Sequence, residues 1–218
     1  MPELVTIPIS YFEVAIAYER PAFQLWTDRA KVLQGLFEAL EPWKPDVDDT
    51  ELRNEGKPSE QGILVRLPLK RTSFFFGPAS CKFIRDDMDW GSADETIAIF
   101  DAAISALIRF GEVVLGRKST AIAMHIQPRA LTFLELLKPF VPREILAIGS
   151  GPIKTMATVA KWDSRKVTID GSGALSNAIF LKLERDFEAN ATYQEIAHQL
   201  RCDEQELFSI LGIEEYRG

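Results

Sequence analysis

The chain lacks most of the sequence features that identify an enzyme, a metalloprotein or a membrane protein. Its 218 residues include two cysteines and two histidines, and these do not fall at the spacing of a zinc or iron site. It contains no G-x-S-x-G, H-E-x-x-H or P-loop pattern. No apolar run approaches the roughly 18 residues needed to cross a bilayer, and the N-terminus does not resemble a signal peptide. We therefore expect a cytoplasmic chain without cofactor or metal.

The two cysteines are far apart in the sequence. Cys81 lies in a strand-like stretch and Cys202 in a predicted turn between helices, and both are expected to act as small apolar side chains. Because a reducing compartment disfavours disulfides, we predict that both remain free thiols.

The composition is that of a globular protein, but the charge is unevenly distributed. Hydrophobic residues make up 46% and charged residues 26% of the chain, and the net charge is -7. Residues 117–185 nevertheless carry 11 basic and 5 acidic side chains. A basic middle between acidic flanks favours contacts between copies or with an acidic partner, although these charges are also typical of solvated surfaces.

Residues 92–111 are predicted to form the central helix of the fold. Their large apolar side chains recur at steps of three and four, which gives one stripe on a helix. Ser92 and Glu95 match a capping box at the helix start, and Gly111 is a natural stop. The residues of the stripe are Ile97, Phe100, Ile104, Leu107 and Ile108.

The order of elements predicts an α+β fold. In the first half, a strand over 11–18 precedes a helix, two further strands and the central helix. In the second half, a strand over 122–128 precedes a short helix, a three-stranded meander and a helical tail. We predict an antiparallel sheet with helices on one face. The matching order suggests two β-α-β-β-α pseudo-repeats, residues 1–115 and 116–218, that share one core.

The tail, residues 192–211, is predicted to form a pair of short helices. Two capping-box patterns, Thr192 with Glu195 and Asp203 with Glu206, mark the two helix starts. The arrangement resembles a helix-turn-helix, but its second helix would begin with acidic residues that DNA phosphates repel. We expect the pair to pack against the domain or a protein partner rather than to read DNA.

The acidic stretch before the central helix and the histidine His125 are two further candidate sites. The acidic stretch 86–95 fails the spacing of a calcium loop, and acidic residues before a helix commonly serve its dipole. His125 lies on the outward face of a predicted strand. Because active sites need no contiguous motif, His125 is the candidate participant if the chain is an enzyme.

One aromatic and basic cluster is a candidate contact surface. Trp162 is accompanied by Lys161, Arg165 and Lys166 at a predicted turn between two strands. An aromatic ring beside cations can bind an anionic partner, and such residues often dominate protein interfaces. We predict that these four residues form a partner-binding tip.

The function that these observations predict is a non-enzymatic assembly or interaction subunit, with a second copy of the chain as one partner. Two alternatives remain open. One is an enzyme whose site is assembled from separate elements and includes His125. The other is a nucleic-acid-associated protein with a concave sheet, which requires the basic residues of 117–185 to line one continuous groove.

Overall fold

The computed structural model describes residues 2–57, 60–87, 89–140 and 157–216, apart from the side chain of Trp26. Within these ranges the chain forms a ten-stranded sheet with helices. The strands are β1 (Glu3–Tyr18), β2 (Thr50–Arg53), β3 (Gly62–Leu67), β4 (Thr72–Phe76), β5 (Ser80–Asp86), β6 (Leu115–Pro128), β7 (Ala157–Lys161), β8 (Arg165–Gly171), β9 (Ile179–Phe187) and β10 (Ile213–Glu215). The helices are α1 (Gln24–Thr27), α2 (Arg29–Leu40), α3 (Ala93–Gly111), α4 (Phe133–Leu137) and α5 (Tyr193–Leu211).

The sheet is antiparallel in nearly all of its pairings. The strand order is β2-β3-β4-β5-β1-β6-β9-β8-β7, and β10 pairs with β1. Among the pairings whose register is described, only that of β1 with β10 is parallel. Short turns join consecutive strands within β3 to β5 and within β7 to β9, as antiparallel neighbours allow. The predicted α+β class and antiparallel sheet are confirmed.

The chain folds into two compact units that interleave along the sequence. The large unit comprises Tyr11–Thr120 and Asp186–His198, and the small unit comprises Met1–Ser10, Ala121–Arg185 and Gln199–Gly218. β1, β6, β9 and α5 therefore contribute residues to both units. The predicted division into residues 1–115 and 116–218 with one shared core stays a prediction. The pseudo-repeat stays a prediction.

In the large unit, one face of the sheet packs against α3, through contacts of Phe100 with Phe74 and Phe83, and α3 also packs against α2. Alternation along β4 and β5 directs Phe74, Cys81 and Phe83 to this face, where all three are fully buried. Phe100 of α3 lies among them, with its ring centroid 5.1 Å from that of Phe83. The predicted stripe of the central helix faces this core except at Ile108, which is 45% exposed.

The small unit contains the predicted meander of β7, β8 and β9. Val167 pairs with Leu183, and both side chains are buried together with Leu181. The Glu3 carboxylate accepts a hydrogen bond of 2.6 Å from the Ala130 N–H. That hydrogen bond holds the pKa of Glu3 below its ordinary value and fixes the turn after β6.

The two longest helices begin differently. At α5 the Glu195 N–H donates to Thr192 Oγ1 at 3.2 Å, and the Thr192 N–H donates to Glu195 Oε2 at 2.8 Å, which confirms this capping box. At α3 the side chain of Ser92 makes no capping hydrogen bond. The capping box predicted for Ser92 and Glu95 is wrong, because a 3-10 turn ends at Ser92 and leads directly into the helix.

α5 is one uninterrupted helix, and the predicted pair of short helices is therefore wrong. Residues 193–211 contain neither glycine nor proline, so nothing in the sequence forces a break. Cys202 lies inside the helix rather than in a turn and is exposed. Asp203 and Glu206, read from the sequence as a second capping box, instead bind arginines of β8 and β9.

Candidate functional site

The predicted tip lies at the hairpin that joins β7 and β8 in the small unit. The Trp162 N–H donates to the Arg165 carbonyl at 2.7 Å and closes a short turn. Trp162 is 55% exposed. The Arg165 guanidinium carbon lies 5.6 Å from the Trp162 ring centroid, within the range of a cation–π contact. The structure thus brings together the ring and one cation of the tip.

Arg165 is also bound by acidic side chains that sequence reasoning did not associate with it. Its Nη1 atom lies 2.8 Å from Glu206 Oε2 and 3.8 Å from Asp203 Oδ1, both on α5. The Arg165 side chain is only 18% exposed. The Arg165 guanidinium is therefore neutralised within the small unit and is not available to bind a partner.

Lys166 is neutralised in a similar way. Its Nζ atom lies 2.7 Å from Glu184 Oε2 on β9, and Lys182 Nζ lies 3.0 Å from the other oxygen of Glu184. Although burial alone would raise the pKa of Glu184, these two hydrogen bonds lower it below its ordinary value. The exposed Lys161 takes part in none of the described ion pairs. Partner binding at the tip stays a prediction, now centred on Trp162 and Lys161.

The acidic partners of the tip belong to a larger buried arrangement. Arg185 Nε and Nη2 donate to the two oxygens of Asp203 at 2.6 and 2.8 Å, a bidentate pair. Asp203 is 2% exposed. It follows Ile196 and Leu200 along the buried stripe of α5, and Leu207 continues that stripe. A carboxylate at a position of an apolar helix stripe must be paired with a cation when it is buried. The place of Asp203 in this stripe could therefore have predicted its ion pair from the sequence.

His125 lies on β6 in the small unit. Its Nδ1 atom is 2.7 Å from Ser172 Oγ, and its ring centroid lies 5.2 Å from that of Phe180. Ser172 Oγ also accepts hydrogen bonds from the N–H groups of Ala174 and Leu175, at 3.2 and 2.9 Å. The contact with Ser172 is one that the sequence did not predict.

The His125–Ser172 pair is better suited to holding a loop than to nucleophilic catalysis. A hydroxyl oxygen has two lone pairs, and two backbone donors already occupy those of Ser172. This arrangement favours donation from the Ser172 hydroxyl to His125 Nδ1, the tautomer with the imidazole proton on Nε2. A serine nucleophile needs a free lone pair to attack. An enzymatic role for His125 stays an untested alternative.

The acidic stretch before α3 supplies local structural contacts. Asp89 accepts a hydrogen bond of 2.9 Å from the Gly91 N–H. Glu95 lies 2.5 Å from Lys70 Nζ, and Asp87 forms an ion pair with Arg71. Within the ranges that the structure describes, no three His, Cys, Asp or Glu side chains are grouped so that they could hold a metal ion.

Several of the basic residues that the structure describes in 117–185 are engaged within the chain. Lys118 is buried, and its Nζ atom donates to the carbonyls of Ala189 and Ala191 in the large unit. In the small unit, Arg165, Lys166 and Arg185 bind carboxylates, as described above. These four side chains are therefore not available to a nucleic acid, and the alternative that requires a continuous basic groove stays an untested prediction.

The outer face of α3, turned away from the sheet of the large unit, is unusual for a solvent-facing helix surface. Its exposed positions recur at steps of three and four, as along the contact line of paired helices. Half of the six exposed positions carry small or apolar side chains, where a solvent-facing helix surface usually carries charges. Five exposed positions follow this spacing, Asp94, Ala98, Asp101, Ser105 and Ile108, and Arg109 is exposed beside Ile108.

A shallow groove adjoins this face between α2 and α3, with a volume of about 310 Å³. Its lining includes Gly35, Ala102 and Ala106, which keep the two helices close. A Cβ atom at Gly35 would lie 2.1 Å from the Phe110 ring, so no larger residue fits without movement. The groove can therefore accept a side chain that protrudes from a molecule bound to the outer face.

Two opposite charges lie at equal distances from the middle of this face. Asp101 and Arg109 are each four residues from Ser105. In the described part of the chain, neither forms an ion pair, and the Arg109 guanidinium carbon lies 5.0 Å from the Phe110 ring centroid. Neighbouring protein atoms desolvate the Asp101 carboxyl and raise its pKa. An external cation would relieve that penalty.

Comparison with known proteins does not assign a function. The chain matches no protein-family model and no curated protein. None of the described helices is both long enough and apolar enough to cross a membrane.

Proposed function

We propose that this chain is a non-enzymatic assembly subunit that associates with a second copy of itself through the outer face of α3. The observation that carries the proposal is the charge symmetry of Asp101 and Arg109 about Ser105. Opposite charges at equal distances from a central residue are self-complementary when two such helices pack antiparallel across a two-fold axis.

The geometry of an antiparallel pair accommodates both charges. At 1.5 Å per residue, Asp101 and Arg109 each lie about 6 Å along the helix from Ser105. Asp101 of one copy then lies at the level of Arg109 of the other, on both sides of the axis. Packed helices are about 8–10 Å apart, a distance that a long arginine side chain can span.

The remaining residues of the face suit a close approach. Ala98 and Ser105 are small, so two helix backbones can come near each other. Ile108, 45% exposed, would lie at the level of Ala102 in the second copy, beside the groove between α2 and α3. Contact there would remove its apolar surface from water.

We also propose that the assembly is cytoplasmic. Both cysteines are free thiols, which suits a reducing compartment. The single interface involved lies entirely on the large unit, and the tip is not needed for it.

Charge reversal tests the interface directly. Sedimentation velocity across a concentration series is expected to show a monomer–dimer equilibrium for the wild-type chain. Asp101→Arg or Arg109→Asp each places like charges opposite one another and should weaken dimerisation by about tenfold or more. The double variant restores opposite pairs with reversed sign, and it should recover most of the wild-type affinity.

Matched controls carry the same changes in charge on the tip. Lys161→Glu matches Arg109→Asp, and Asp163→Arg matches Asp101→Arg; both positions are exposed. These variants should dimerise like the wild type. A wild-type chain that stays monomeric to about 100 μM, or a double variant no better than the single ones, would overturn the proposal. Dissociation by the tip variants alone would locate the interface at the tip instead.

A further inference from the structure

The outer face of the sheet in the large unit contains a concave site that the assembly proposal does not use. This site, the β2–β5 pocket, has a volume of about 420 Å³, which lies within the range of small-molecule sites. Leu64, Phe75 and Ile84 line it with apolar side chains. Leu64 and Phe75 pair directly across β3 and β4. The opposite face of the same strands packs against α3, so the pocket and the proposed interface are on different surfaces.

Three cations from three strands surround this apolar floor. Arg53 of β2, Arg66 of β3 and Lys82 of β5 all line the pocket, and each side chain is 42–44% exposed. The Arg53 guanidinium carbon lies 5.9 Å from the Phe75 ring centroid. A flat ring placed on Phe75 would therefore also lie beside a guanidinium group.

Each of these cations forms an ion pair with a carboxylate, but the pairs do not use all of its N–H donors. Glu51 is shared, with its oxygens 2.9 Å from Arg53 Nε and 3.1 Å from Arg66 Nη2. Each guanidinium has five N–H donors, so both arginines keep donors directed elsewhere. Glu13 lies 2.8 Å from Lys82 Nζ. The pairs of Glu51 are exposed and therefore weak, which leaves the two arginines able to bind a second anion, whereas Glu13 is only 24% exposed.

The one acidic residue in the pocket lining is already engaged. Glu60 Oε2 accepts a hydrogen bond of 3.1 Å from the Lys57 N–H, within the loop that precedes β3. A hydroxyl group, that of Ser73, also lines the site. The pocket thus combines an apolar floor with three cations, one hydroxyl and the Glu60 carboxylate at its rim.

We propose that the β2–β5 pocket binds a small molecule with a flat apolar body and one anionic group, such as an aromatic carboxylate, sulfonate or phosphate ester. The flat body packs on Phe75 and Ile84. The anionic group accepts hydrogen bonds from the arginines, whose planar donors match carboxylate and phosphate oxygens.

Two fluorescent probes of similar shape test this assignment. 8-Anilinonaphthalene-1-sulfonate carries the anionic group, and N-phenyl-1-naphthylamine has the same aromatic body without it. We expect the sulfonate to bind the folded chain saturably, at one site. Arg66→Gln or Lys82→Gln should weaken its binding about fivefold to tenfold and leave binding of the neutral amine nearly unchanged. Phe75→Ala should weaken binding of both probes.

The control variant Lys31→Gln removes an exposed cation on α2 and should leave binding of both probes unchanged. Cooperative urea unfolding of each variant establishes that the probes report on the folded chain. Non-saturable sulfonate binding, or equal binding by the wild type, Arg66→Gln and Phe75→Ala, would overturn the proposal. Equal weakening of both probes by Arg66→Gln would overturn its anionic part. Dimerisation measured on the same variants tests the assembly proposal separately.

Discussion

Each unit contains a cluster of arginine and carboxylate side chains, and the two clusters differ in how far their carboxylates are exposed to solvent. In the small unit, the carboxylate of Asp203 is 3% exposed. In the large unit, the carboxylate of Glu51 is 45% exposed. The α5 cluster consists of Arg165, Arg185, Asp203 and Glu206, and the Glu51 cluster consists of Arg53, Arg66 and Glu51.

Burial decides what each cluster can do. A buried charge must be paired, so Asp203 and its arginines are committed to holding α5 against β8 and β9, although Glu206 of the same cluster is 55% exposed. An exposed charge is solvated with or without its partner, so the Glu51 cluster contributes little to stability and can exchange partners. A basic side chain near the surface is therefore no evidence of a binding site until its own partners are known, as Arg165 illustrates.

The largest expected effect is that of Asp203→Asn. The change removes the charge of a buried carboxylate and leaves Arg185 without its bidentate partner. We expect the free energy of unfolding, measured in urea, to fall by about 3 kcal/mol. Gln205→Ala, at an exposed position on the same helix, is the control. A loss of less than about 0.5 kcal/mol for Asp203→Asn, the range of ordinary surface changes, would remove the distinction between the clusters.

An intermediate effect is expected for Arg165→Met. The change removes the hydrogen bond to Glu206, while Arg185 still neutralises Asp203. We expect a loss of about 1 kcal/mol in the free energy of unfolding, whereas Lys161→Met at the exposed end of β7 should have almost no effect. A double-mutant cycle with Glu206→Gln measures the pair itself. A coupling energy of zero would show that Arg165 acts through packing alone.

The smallest effect is expected for Glu51→Gln, and it should depend on pH. Hydrogen bonds from Arg53 and Arg66 lower the pKa of Glu51 below its ordinary value of 4.5. A carboxylate with a lowered pKa in the folded chain contributes its stability above the ordinary pKa and loses it as the pH falls through the folded value.

Urea unfolding of the wild type and Glu51→Gln should therefore differ slightly at pH 7 and should coincide at pH values well below 4.5. The difference at pH 7 should be smaller than that of Arg165→Met. A loss at pH 7 as large as that of Asp203→Asn would mean that the Glu51 cluster is structural, and it would weaken the case for a ligand in the β2–β5 pocket.

The strands and the central helix could be predicted from the sequence because their signals are local. Alternation along 11–18 identified part of β1, and the stripe that contains Phe100 identified the inner face of α3. The capping box at Thr192 was equally local. The failure at Ser92 was also local in origin, since a capping-box pattern does not reveal a 3-10 turn that comes before the helix.

The chemistry of the tip could not be predicted in the same way. Arg165 binds Glu206, a residue 41 positions later in the chain, and such a pairing depends on how α5 lies against β8. Asp203 matches a helix-cap pattern, and this interpretation hid the fact that it lies in the apolar stripe of α5. The exposure of Ile108 had a similar cause, because only the packed fold shows which side of an apolar helix remains uncovered.

The interleaving of the two units bears on how the chain acquires its fold during synthesis. Neither unit corresponds to a continuous piece of polypeptide, because Asp186–His198 completes one and Gln199–Gly218 completes the other. A ribosome must therefore synthesise the chain as far as residue 198 before even the large unit has all of its residues. Fragments cut at residue 115 would each lack part of a unit, so co-expressed fragments are a more promising experiment than isolated ones.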